Sequence, residues 1–312
     1  MKILMIGHGM VGHKFIESVL EQAGDDIELT ILAEEPHLAY DRVHLTEYFS
    51  GKSVKDLSLC RSDFADAYGI DLRLNTKAVE IDQLHKTVTT SQGDVLSFDK
   101  LILATGSYAF VPPIPGNDRQ NCFVYRTIED LDAIRAASLN AKTGVVIGGG
   151  LLGLEAAKAL RDLNLETHVV EFAPRLMAVQ IDDLGGRVLR SKIEDLGVKV
   201  HTQKATSSIE DGDSTQHVMK FGDGSVLETD IILFSAGMRP RDELARQSGL
   251  LLGERGGIII NDYFQTSHPD IYAIGECALW DNKIYGLVAP GYDMARIAAK
   301  HVLGQESHAF AG

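Results

Sequence analysis

The chain of 312 residues is long enough for two domains of about 100 to 200 residues each. Hydrophobic residues make up 45% and charged residues 24% of it, which is the balance of a globular protein with a substantial core. The formal net charge of −14 argues against non-specific binding to nucleic acid or to an anionic membrane.

The cysteines and the N-terminus narrow the class of protein further. Cys60, Cys122 and Cys277 lie far apart without a C-x-x-C pair, so the sequence predicts neither a disulfide framework nor a metal site. The N-terminus begins with a predicted strand and has no signal-peptide pattern, and no apolar run approaches 18 residues. We therefore expect a cytoplasmic protein without a membrane partner.

A glycine pattern follows the first predicted strand, at residues 2–6. Gly7, Gly9 and Gly12 have the G-x-G-x-x-G spacing, and an amphipathic segment starts directly behind them. In dinucleotide-binding folds the first glycine makes the turn, the second lets a pyrophosphate approach, and the third lets the helix pack on its strand. A single copy of this pattern is weak, because glycines also occur in turns for steric reasons alone.

The second predicted strand, residues 27–32, ends beside two acids. A dinucleotide-binding fold places an acidic residue about 20 positions after the glycines, where it accepts the hydroxyls of the adenosine ribose. The position directly after the strand is Ala33, so Glu34 or Glu35 has to fill this role, and we favour Glu35. A solvated acidic turn is the alternative.

The following segment predicts further elements around a buried strand. Residues 52–68 have the pattern of one helix, and strands at 70–79, 86–90 and 95–98 have the pattern of a β-meander. The buried strand then ends on Ala104, Thr105 and Gly106, where small residues allow a cofactor to approach the backbone. A proline-rich stretch at 111–116 predicts a linker between domains, and Thr127 predicts the N-cap of a helix.

The glycine pattern recurs in the second half of the chain. Gly148, Gly150 and Gly153 follow a strand at 143–147, and Glu171 ends the next strand, 18 residues after Gly153. The repeat is completed by a predicted helix at 185–195, a meander at 198–221 and a strand that ends on Gly237. Two such halves predict an α/β fold with two Rossmann-like domains, each a three-layer arrangement of a parallel central sheet with a β-meander excursion.

The last part of the chain predicts a flavin site. A strand ends on Gly275 and Glu276, and an acid at such a strand end suits a ribityl hydroxyl of a flavin. Residues 286–292 then open a helix, and its positive N-terminus would stabilise charge that develops on a reduced flavin ring.

Several motifs together resemble the flavoprotein reductases with two dinucleotide-binding domains. In particular, they are similar to the N-terminal part of the large subunit of siroheme-type assimilatory NAD(P)H nitrite reductase. The motifs are AYDRVHL at 39–45, FVYRTIED at 123–130, EFAP at 171–174, IGEC at 274–277 and YGLVAPGY at 285–292. Glu276 stands where the broader superfamily usually has Asp, and it matches the nitrite reductase branch.

The resemblance implies FAD in a discontinuous domain of residues 1–112 and 240–312, and NADH, or less favourably NADPH, in a domain of residues 113–239. The residues that it implies for FAD are Gly7, Gly9, Met10, Val11, Gly12, Glu34, Glu35, Arg42, Val79, Ala104, Thr105, Gly106, Arg126, Gly275, Glu276 and Pro290. Those that it implies for NADH are Gly148, Gly150, Leu151, Leu152, Gly153, Glu171 and Gly237.

The same resemblance implies an enzyme that takes hydride from NADH onto FAD and passes electrons to an iron–sulfur or siroheme domain or subunit in nitrate and nitrite assimilation. A stand-alone reductase of rubredoxin or ferredoxin, or a protein that binds FAD and NADH without turnover, is the alternative. Some relatives have a Lys–Glu pair beside the flavin, with the lysine in the segment that follows the position of Arg42. This chain offers Glu47 in that segment and not lysine, so the roles of Glu47 and Glu155 stay open. Family chains continue into further domains, so we expect an excised module or a stand-alone electron-transfer subunit.

Overall fold

The computed structural model describes residues 1–22, 24 and 26–312. Its helices are α1 (Met10–Leu20), α2 (Val54–Leu57), α3 (Phe64–Tyr68), α4 (Ile128–Ser138), α5 (Leu151–Asp162), α6 (Asp183–Asp195), α7 (Glu243–Gln247) and α8 (Val288–Val302), with short 3-10 helices at Leu45–Tyr48 and Gly275–Cys277. None of the helices in this described part of the chain is long and apolar enough to cross a membrane.

The strands, in chain order, are β1 (Lys2–Ile6), β2 (Glu28–Leu32), β3 (Asp71–Arg73), β4 (Ala78–Asp82), β5 (Thr87–Thr90), β6 (Val95–Ser97), β7 (Lys100–Leu103), β8 (Ser107–Ala109), β9 (Cys122–Val124), β10 (Thr143–Ile147), β11 (Glu166–Val170), β12 (Val198–His201), β13 (Thr206–Asp211), β14 (His217–Phe221), β15 (Val226–Thr229), β16 (Ile231–Phe234), β17 (Met238–Pro240), β18 (Ile258–Ile259), β19 (Ile271–Ala273) and β20 (Ala278–Leu279).

The chain divides into two compact units. The first contains Met1–Asp41, Leu57–Tyr108 and Arg239–Gly312, and the second contains Arg42–Asp56 and Ala109–Met238. These bounds differ from the predicted domains mainly at residues 42–56, which belong with the second unit. The assignment of one cofactor to each domain stays a prediction.

Residues 42–56 belong with the second unit because their side chains pack on α4. The Tyr48 hydroxyl donates a hydrogen bond of 2.6 Å to Asp132, and Arg135 donates one of the same length to the Tyr48 carbonyl oxygen. The Arg135 guanidinium also lies 4.2 Å from the centre of the Tyr48 ring, a distance that suits a cation–π interaction. The sequence around residues 42–56 does not predict this packing on α4.

The first unit is built on a five-stranded parallel sheet in the order β19-β7-β1-β2-β3. Buried strand residues such as Met5, Ile31 and Ile102 form its core, as expected for parallel strands that are covered on both faces. Helices α1 and α8 pack against each other, and an antiparallel meander of β4, β5 and β6 extends from the sheet. A short parallel pair joins β18 and β20.

The second unit repeats this plan, with a parallel sheet in the order β12-β11-β10-β16-β9 and an antiparallel meander of β13, β14 and β15. The two sheets differ in where one strand comes from in the chain. In the first sheet β7 pairs with β19, which comes late in the chain. In the second sheet β16, the counterpart of β7, pairs with β9, which comes before the glycine turn. The predicted α/β class with two Rossmann-like sheets is confirmed.

Two predicted segments have different structures. Residues 52–68 do not form one helix but the short helices α2 and α3, because the chain between them lies in an extended conformation against residues 39–41. Cys60 therefore lies between the two helices and not within one. The stretches 70–79 and 198–221 were predicted as meander strands only, but their first strands, β3 and β12, join the parallel sheets.

Candidate functional site

The outer glycines of the first turn are required by the protein itself. Gly7 has a φ of +103°, and a Cβ atom there would lie 2.2 Å from the Ala104 carbonyl oxygen. A Cβ atom on Gly12 would lie 2.6 Å from the Gly7 carbonyl oxygen. No side chain fits at either position, so these glycines allow β1, α1 and the end of β7 to pack closely.

The second turn has the same construction. Gly148 has a φ of +122°, with the Ser235 carbonyl oxygen 2.2 Å from its hypothetical Cβ atom. A Cβ atom on Gly153 would lie 2.0 Å from the Gly148 carbonyl oxygen. The two halves therefore repeat each other at the level of atomic contacts.

The middle glycines, Gly9 and Gly150, behave differently. Their φ angles of −92° and −81° are accessible to any residue, and a Cβ atom on either would meet no atom of the described residues within 4 Å beyond its two chain neighbours. The folded chain thus gives no steric reason for glycine at these positions. A pyrophosphate that has to approach the backbone does give one, so both turns fit a dinucleotide.

The helices behind the turns are also suited to phosphate. In α1 and α5 no side chain caps the N-terminus and the first turn contains no acid, whereas Thr127 caps α4 with a capping box and Asp182 caps α6. The N–H groups of an uncapped first turn can donate to an anion. Both helices begin with residues predicted to contact cofactor, namely Met10, Val11, Leu151 and Leu152.

Several predicted FAD residues meet beside the first turn. Residues 104–106 follow β7, and Gly275, with a φ of +77°, follows the neighbouring β19. Hypothetical Cβ atoms on Gly275 and Gly291 would lie 3.4 and 2.5 Å from Val11, so both segments approach the start of α1. Pro290 lies in the first turn of α8.

Two polar contacts hold this group of loops. Ser107 donates a hydrogen bond of 2.8 Å to Glu276, and the Thr105 hydroxyl donates one of 2.6 Å to the Arg241 carbonyl oxygen. Ser107 was not among the predicted site residues, and only the folded contact reveals it. Cys277 is fully buried here, and burial raises the pKa of its thiol.

The acids after β2 both have protein partners. Glu35 accepts a hydrogen bond of 2.7 Å from the Tyr40 hydroxyl, while Glu34 pairs with Lys77 at 3.2 Å and Arg241 at 3.0 Å. Glu35 is the less exposed of the two. Its role toward the adenosine ribose stays a prediction.

Glu171 is fixed at the second turn by the backbone. One carboxylate oxygen accepts a hydrogen bond of 2.5 Å from the Gly149 N–H, and the other accepts one of 2.7 Å from the Ala173 N–H. The carboxylate is thus held beside the glycine turn, where an adenosine ribose is expected. Gly237, which closes the repeat, has a φ of +115°.

Three further residues predicted for FAD are Arg42, Arg126 and Val79. Arg42 and Arg126 both belong to the second unit, where Arg42 donates a hydrogen bond of 2.8 Å to the Arg126 carbonyl oxygen. Val79 lies in the meander strand β4 with its side chain 41% exposed. Their contacts with FAD stay predictions.

The two glutamates with open roles both lie in the second unit. Burial raises the pKa of Glu155, on α5, and His44 opposes this shift. Glu47 forms an ion pair with Lys52.

Comparison with known proteins decides the family. Residues 1–301 match the model of the pyridine nucleotide-disulphide oxidoreductase family. The chain belongs to this family. As a pyridine nucleotide-disulphide oxidoreductase it is an NAD(P)H-dependent flavoprotein oxidoreductase with FAD and NADH as its cofactors.

The relatives of this oxidoreductase include longer proteins. The chain is 54% identical over its whole length to the nitrite reductase (NADH) large subunit of Escherichia coli (strain K12), of which it covers 37%. It is 37% identical to the assimilatory nitrate reductase electron transfer subunit of Bacillus subtilis (strain 168), of which it covers 40%. The chain thus spans well under half the length of these relatives.

A solved structure shows the same fold. The NAD-dependent persulfide reductase from A. fulgidus superimposes with a TM-score of 0.93 at 27% sequence identity, over 100% of this chain and 61% of that one. The expected resemblance to flavoprotein reductases with two dinucleotide-binding domains is therefore confirmed.

We expect acid to destabilise the chain through His8, the residue between Gly7 and Gly9. Burial, together with His13, lowers the pKa of His8 to about 3 in the folded state, whereas an unfolded imidazole titrates near pH 6.5. The unfolded state binds the proton better in this range, so stability present above pH 6.5 is lost as the pH falls toward 3. The free energy of unfolding should decrease by roughly 2 kcal/mol between about pH 6.5 and pH 5.

Urea unfolding at about pH 8 and pH 5 measures this loss. His8→Phe is the matched variant, because it removes the titrating group and keeps an aromatic ring. It should unfold with a smaller difference between the two pH values by about the same 2 kcal/mol. An unchanged difference in the variant would assign the acid sensitivity to other groups.

Proposed function

We propose that the chain is the NADH-oxidising flavoprotein module of a nitrite-reducing system, and that its electrons pass to an iron–sulfur or siroheme centre on another domain or subunit. The observation that carries this proposal is the pair of glycine turns with open middle positions, in a chain 54% identical to part of a nitrite reductase large subunit. The name of the Bacillus subtilis relative, an electron transfer subunit of assimilatory nitrate reductase, supports a role in passing electrons.

The residues of the chain divide the work between binding and electrostatics. Bound FAD supplies the chemistry of accepting a hydride and releasing electrons one at a time. The first turn and α1 would hold its pyrophosphate, and Glu276, which accepts a hydrogen bond from Ser107, would accept one from a ribityl hydroxyl. The uncapped N-terminus of α8 provides a positive end that favours negative charge on the ring, while Glu171 holds the adenosine ribose of NADH.

We expect diaphorase activity without nitrite reduction. With NADH, the purified chain loaded with FAD should reduce ferricyanide, because one-electron transfer to a soluble acceptor needs only the flavin. Nitrite should remain unconsumed, because its reduction to ammonia takes six electrons at a siroheme coupled to an iron–sulfur cluster, which is usually held by four cysteines. The chain has three cysteines, none within 60 residues of another.

The measurement follows NADH absorbance with each acceptor and quantifies nitrite separately. Addition of the metal-bearing domains or subunit should start nitrite consumption. Nitrite loss with NADH and the purified chain alone would contradict the proposal, as would stoichiometric iron in that chain. A chain that binds both nucleotides but leaves ferricyanide unreduced would instead favour a binding protein without turnover.

We also expect the flavin to be the only redox group that accepts electrons when the chain is reduced. Disulphide-reducing members of such families place a C-x-x-x-x-C pair beside the flavin, but residues 1–59 contain no cysteine. An anaerobic reductive titration should therefore consume two electrons per FAD. Reproducible uptake of four electrons with a thiolate charge-transfer band would show that a disulfide takes part.

A different acceptor is the second candidate. The chain is 29% identical to the rubredoxin-NAD(+) reductase of Alcanivorax borkumensis (strain ATCC 700651 / DSM 11573 / NCIMB 13689 / SK2) and covers 79% of it. Faster reduction of a rubredoxin or ferredoxin than of the siroheme partner would favour this candidate. The cytoplasmic location stays a prediction from the sequence.

A further inference from the structure

The loop between β11 and α6, residues 171–182, lies against the second glycine turn. Leu176 in this loop is fully buried, and its side chain lies 2.6 Å from a hypothetical Cβ atom on Gly149. The Met177 N–H donates a hydrogen bond of 2.8 Å to the Gly149 carbonyl oxygen. Since Glu171 accepts a hydrogen bond from the Gly149 N–H, both backbone polar groups of Gly149 are bound by this one loop.

The bond from Met177 also sets the direction of the next N–H group. The Gly149 carbonyl and the Gly150 N–H belong to one planar trans peptide group, so they point in opposite directions. The Gly150 N–H is therefore turned away from the β11–α6 loop. Gly150 is the partly exposed N-cap residue of α5, and an N–H group in this place can donate to a phosphate.

Arg175 holds the β11–α6 loop in this shape. Its guanidinium donates to the carbonyl oxygens of Ile181 at 3.0 Å and Ala178 at 3.2 Å, and it pairs with Asp183 at 2.7 Å. These bonds join the first half of the loop to its end and to the first residue of α6. Within the span that they close, Met177 has a φ of +47°, a left-handed conformation that the surrounding contacts have to maintain.

Helix α6 leaves room for this arginine. Gly186 lies inside α6, where glycine lowers the stability of a helix relative to alanine. A Cβ atom on Gly186 would lie 2.8 Å from the Cδ atom and 3.0 Å from the Cβ atom of Arg175. The aliphatic part of the arginine side chain therefore packs directly on the helix backbone, and a larger residue at position 186 would displace it.

We propose that Arg175 is a positioning residue for NADH. By fixing the β11–α6 loop, it keeps the Met177 N–H on the Gly149 carbonyl oxygen, and it thereby keeps the next N–H directed at the pyrophosphate of the nucleotide. The guanidinium is held by Asp183 and two carbonyl oxygens, so it acts through the loop and not by touching the nucleotide. The inference rests on the proposed function, because it needs NADH at the second glycine turn.

The test compares variants of the full chain loaded with FAD. Arg175→Met removes the donors and keeps an unbranched side chain beside Gly186, whereas Arg175→Lys keeps the charge but loses the planar fork. Arg187→Met is the control, since it removes the same charge from an exposed residue of α6. The FAD content and the melting temperature report whether each variant is folded.

The dissociation constant of NAD⁺ is measured by titration, and kcat and KM are measured with ferricyanide. We expect Arg175→Met to raise the NAD⁺ dissociation constant by about tenfold, as expected when one hydrogen bond to a phosphate is lost. KM for NADH and for NADPH should rise by the same factor, because both contain the pyrophosphate, and kcat should stay within twofold. Arg175→Lys should recover part of the affinity, and Arg187→Met should leave every constant within twofold.

Two results would overturn the role of Arg175. A folded Arg175→Met chain with parental NAD⁺ affinity would show that the turn needs no arginine. A much larger loss for NADPH than for NADH would show that the guanidinium contacts the 2′-phosphate directly. If Arg175→Met does not fold, Arg175→Lys decides, since weaker NAD⁺ binding by this folded variant supports the role and parental binding contradicts it.

Gly150→Ala tests the proposed location of NADH separately. Its methyl group would occupy the space of the pyrophosphate, so this variant should also bind NAD⁺ more weakly. Parental affinity in Gly150→Ala would show that NADH binds elsewhere, which would contradict the proposed function and the role of Arg175 together. Weak binding by Gly150→Ala with parental binding by Arg175→Met would refute the role of Arg175 alone.

Discussion

A Gly9→Ala chain should fold normally and yet bind FAD about 100-fold more weakly. Among the residues that the structure describes, the new methyl group meets no atom within 4 Å beyond its chain neighbours, and the φ of −92° suits alanine. Since alanine is a poorer N-cap than glycine, the free energy of unfolding should fall by no more than about 1 kcal/mol. The methyl group does occupy the space for the pyrophosphate, and charge-assisted hydrogen bonds to a phosphate are worth about 1.5–3 kcal/mol each.

Gly12→Ala is the matched variant, because the same methyl group is added three residues away. There it would lie 2.6 Å from the Gly7 carbonyl oxygen, so α1 has to move away from β1 and the fold itself is destabilised. Thermal unfolding without FAD and FAD titration separate the two effects. If Gly9→Ala lost stability as Gly12→Ala does, or kept parental FAD affinity, the assignment of the open middle glycine to a ligand would be wrong.

NADH should be used roughly 100-fold more efficiently than NADPH, as measured by kcat/KM. The Glu171 carboxylate is held by two backbone N–H groups, so it would meet the 2′-phosphate of NADPH as a fixed like charge, which costs several kcal/mol. A positive charge near the ribose would weaken this preference, and Arg175 stands four residues after Glu171. In the structure its guanidinium is bound to the Ile181 and Ala178 carbonyl oxygens and to Asp183, and so it is held by the protein itself.

Glu171→Gln should reduce the preference to about tenfold, mainly through a lower KM for NADPH, because the amide removes the charge and keeps the size. Glu166→Gln is the control, since Glu166 begins the same strand at its opposite end and is exposed. That variant should retain the parental ratio. Equal efficiency of the two nucleotides with the parent chain would contradict the role given to Glu171.

Sequence motifs predicted the structure correctly where residues close together in the chain determine it. Thr127 does form the predicted cap, since the capping box with Asp130 needs only residues three positions apart. The glycine spacing predicted both turns, because the Gly7 and Gly148 carbonyl oxygens exclude a Cβ atom at Gly12 and Gly153, which follow in the same turn.

Long-range contacts account for the segments whose predicted structure was wrong. The pattern at 52–68 favours a helix, but hydrogen bonds with residues 39–41 extend the chain in the middle of it. A short apolar stretch such as 70–79 has the same pattern whether it joins a parallel sheet or a meander, and its partner strand decides. Residues 42–56 follow β2 in the sequence, yet Tyr48 and Arg135 place them with the second unit.

The sequence by itself determined the α/β class and the two dinucleotide turns, because these depend on residue types at fixed short spacings. Its resemblance to a known family implied the cofactors. Only the tertiary structure decided the partners of those residues, namely Ser107 on Glu276 and the Gly149 N–H on Glu171. Both contacts join segments that are separate in the chain and adjacent in the fold. No spacing rule encodes such contacts, since they arise from the packing of the parallel strands and of the loops at their ends.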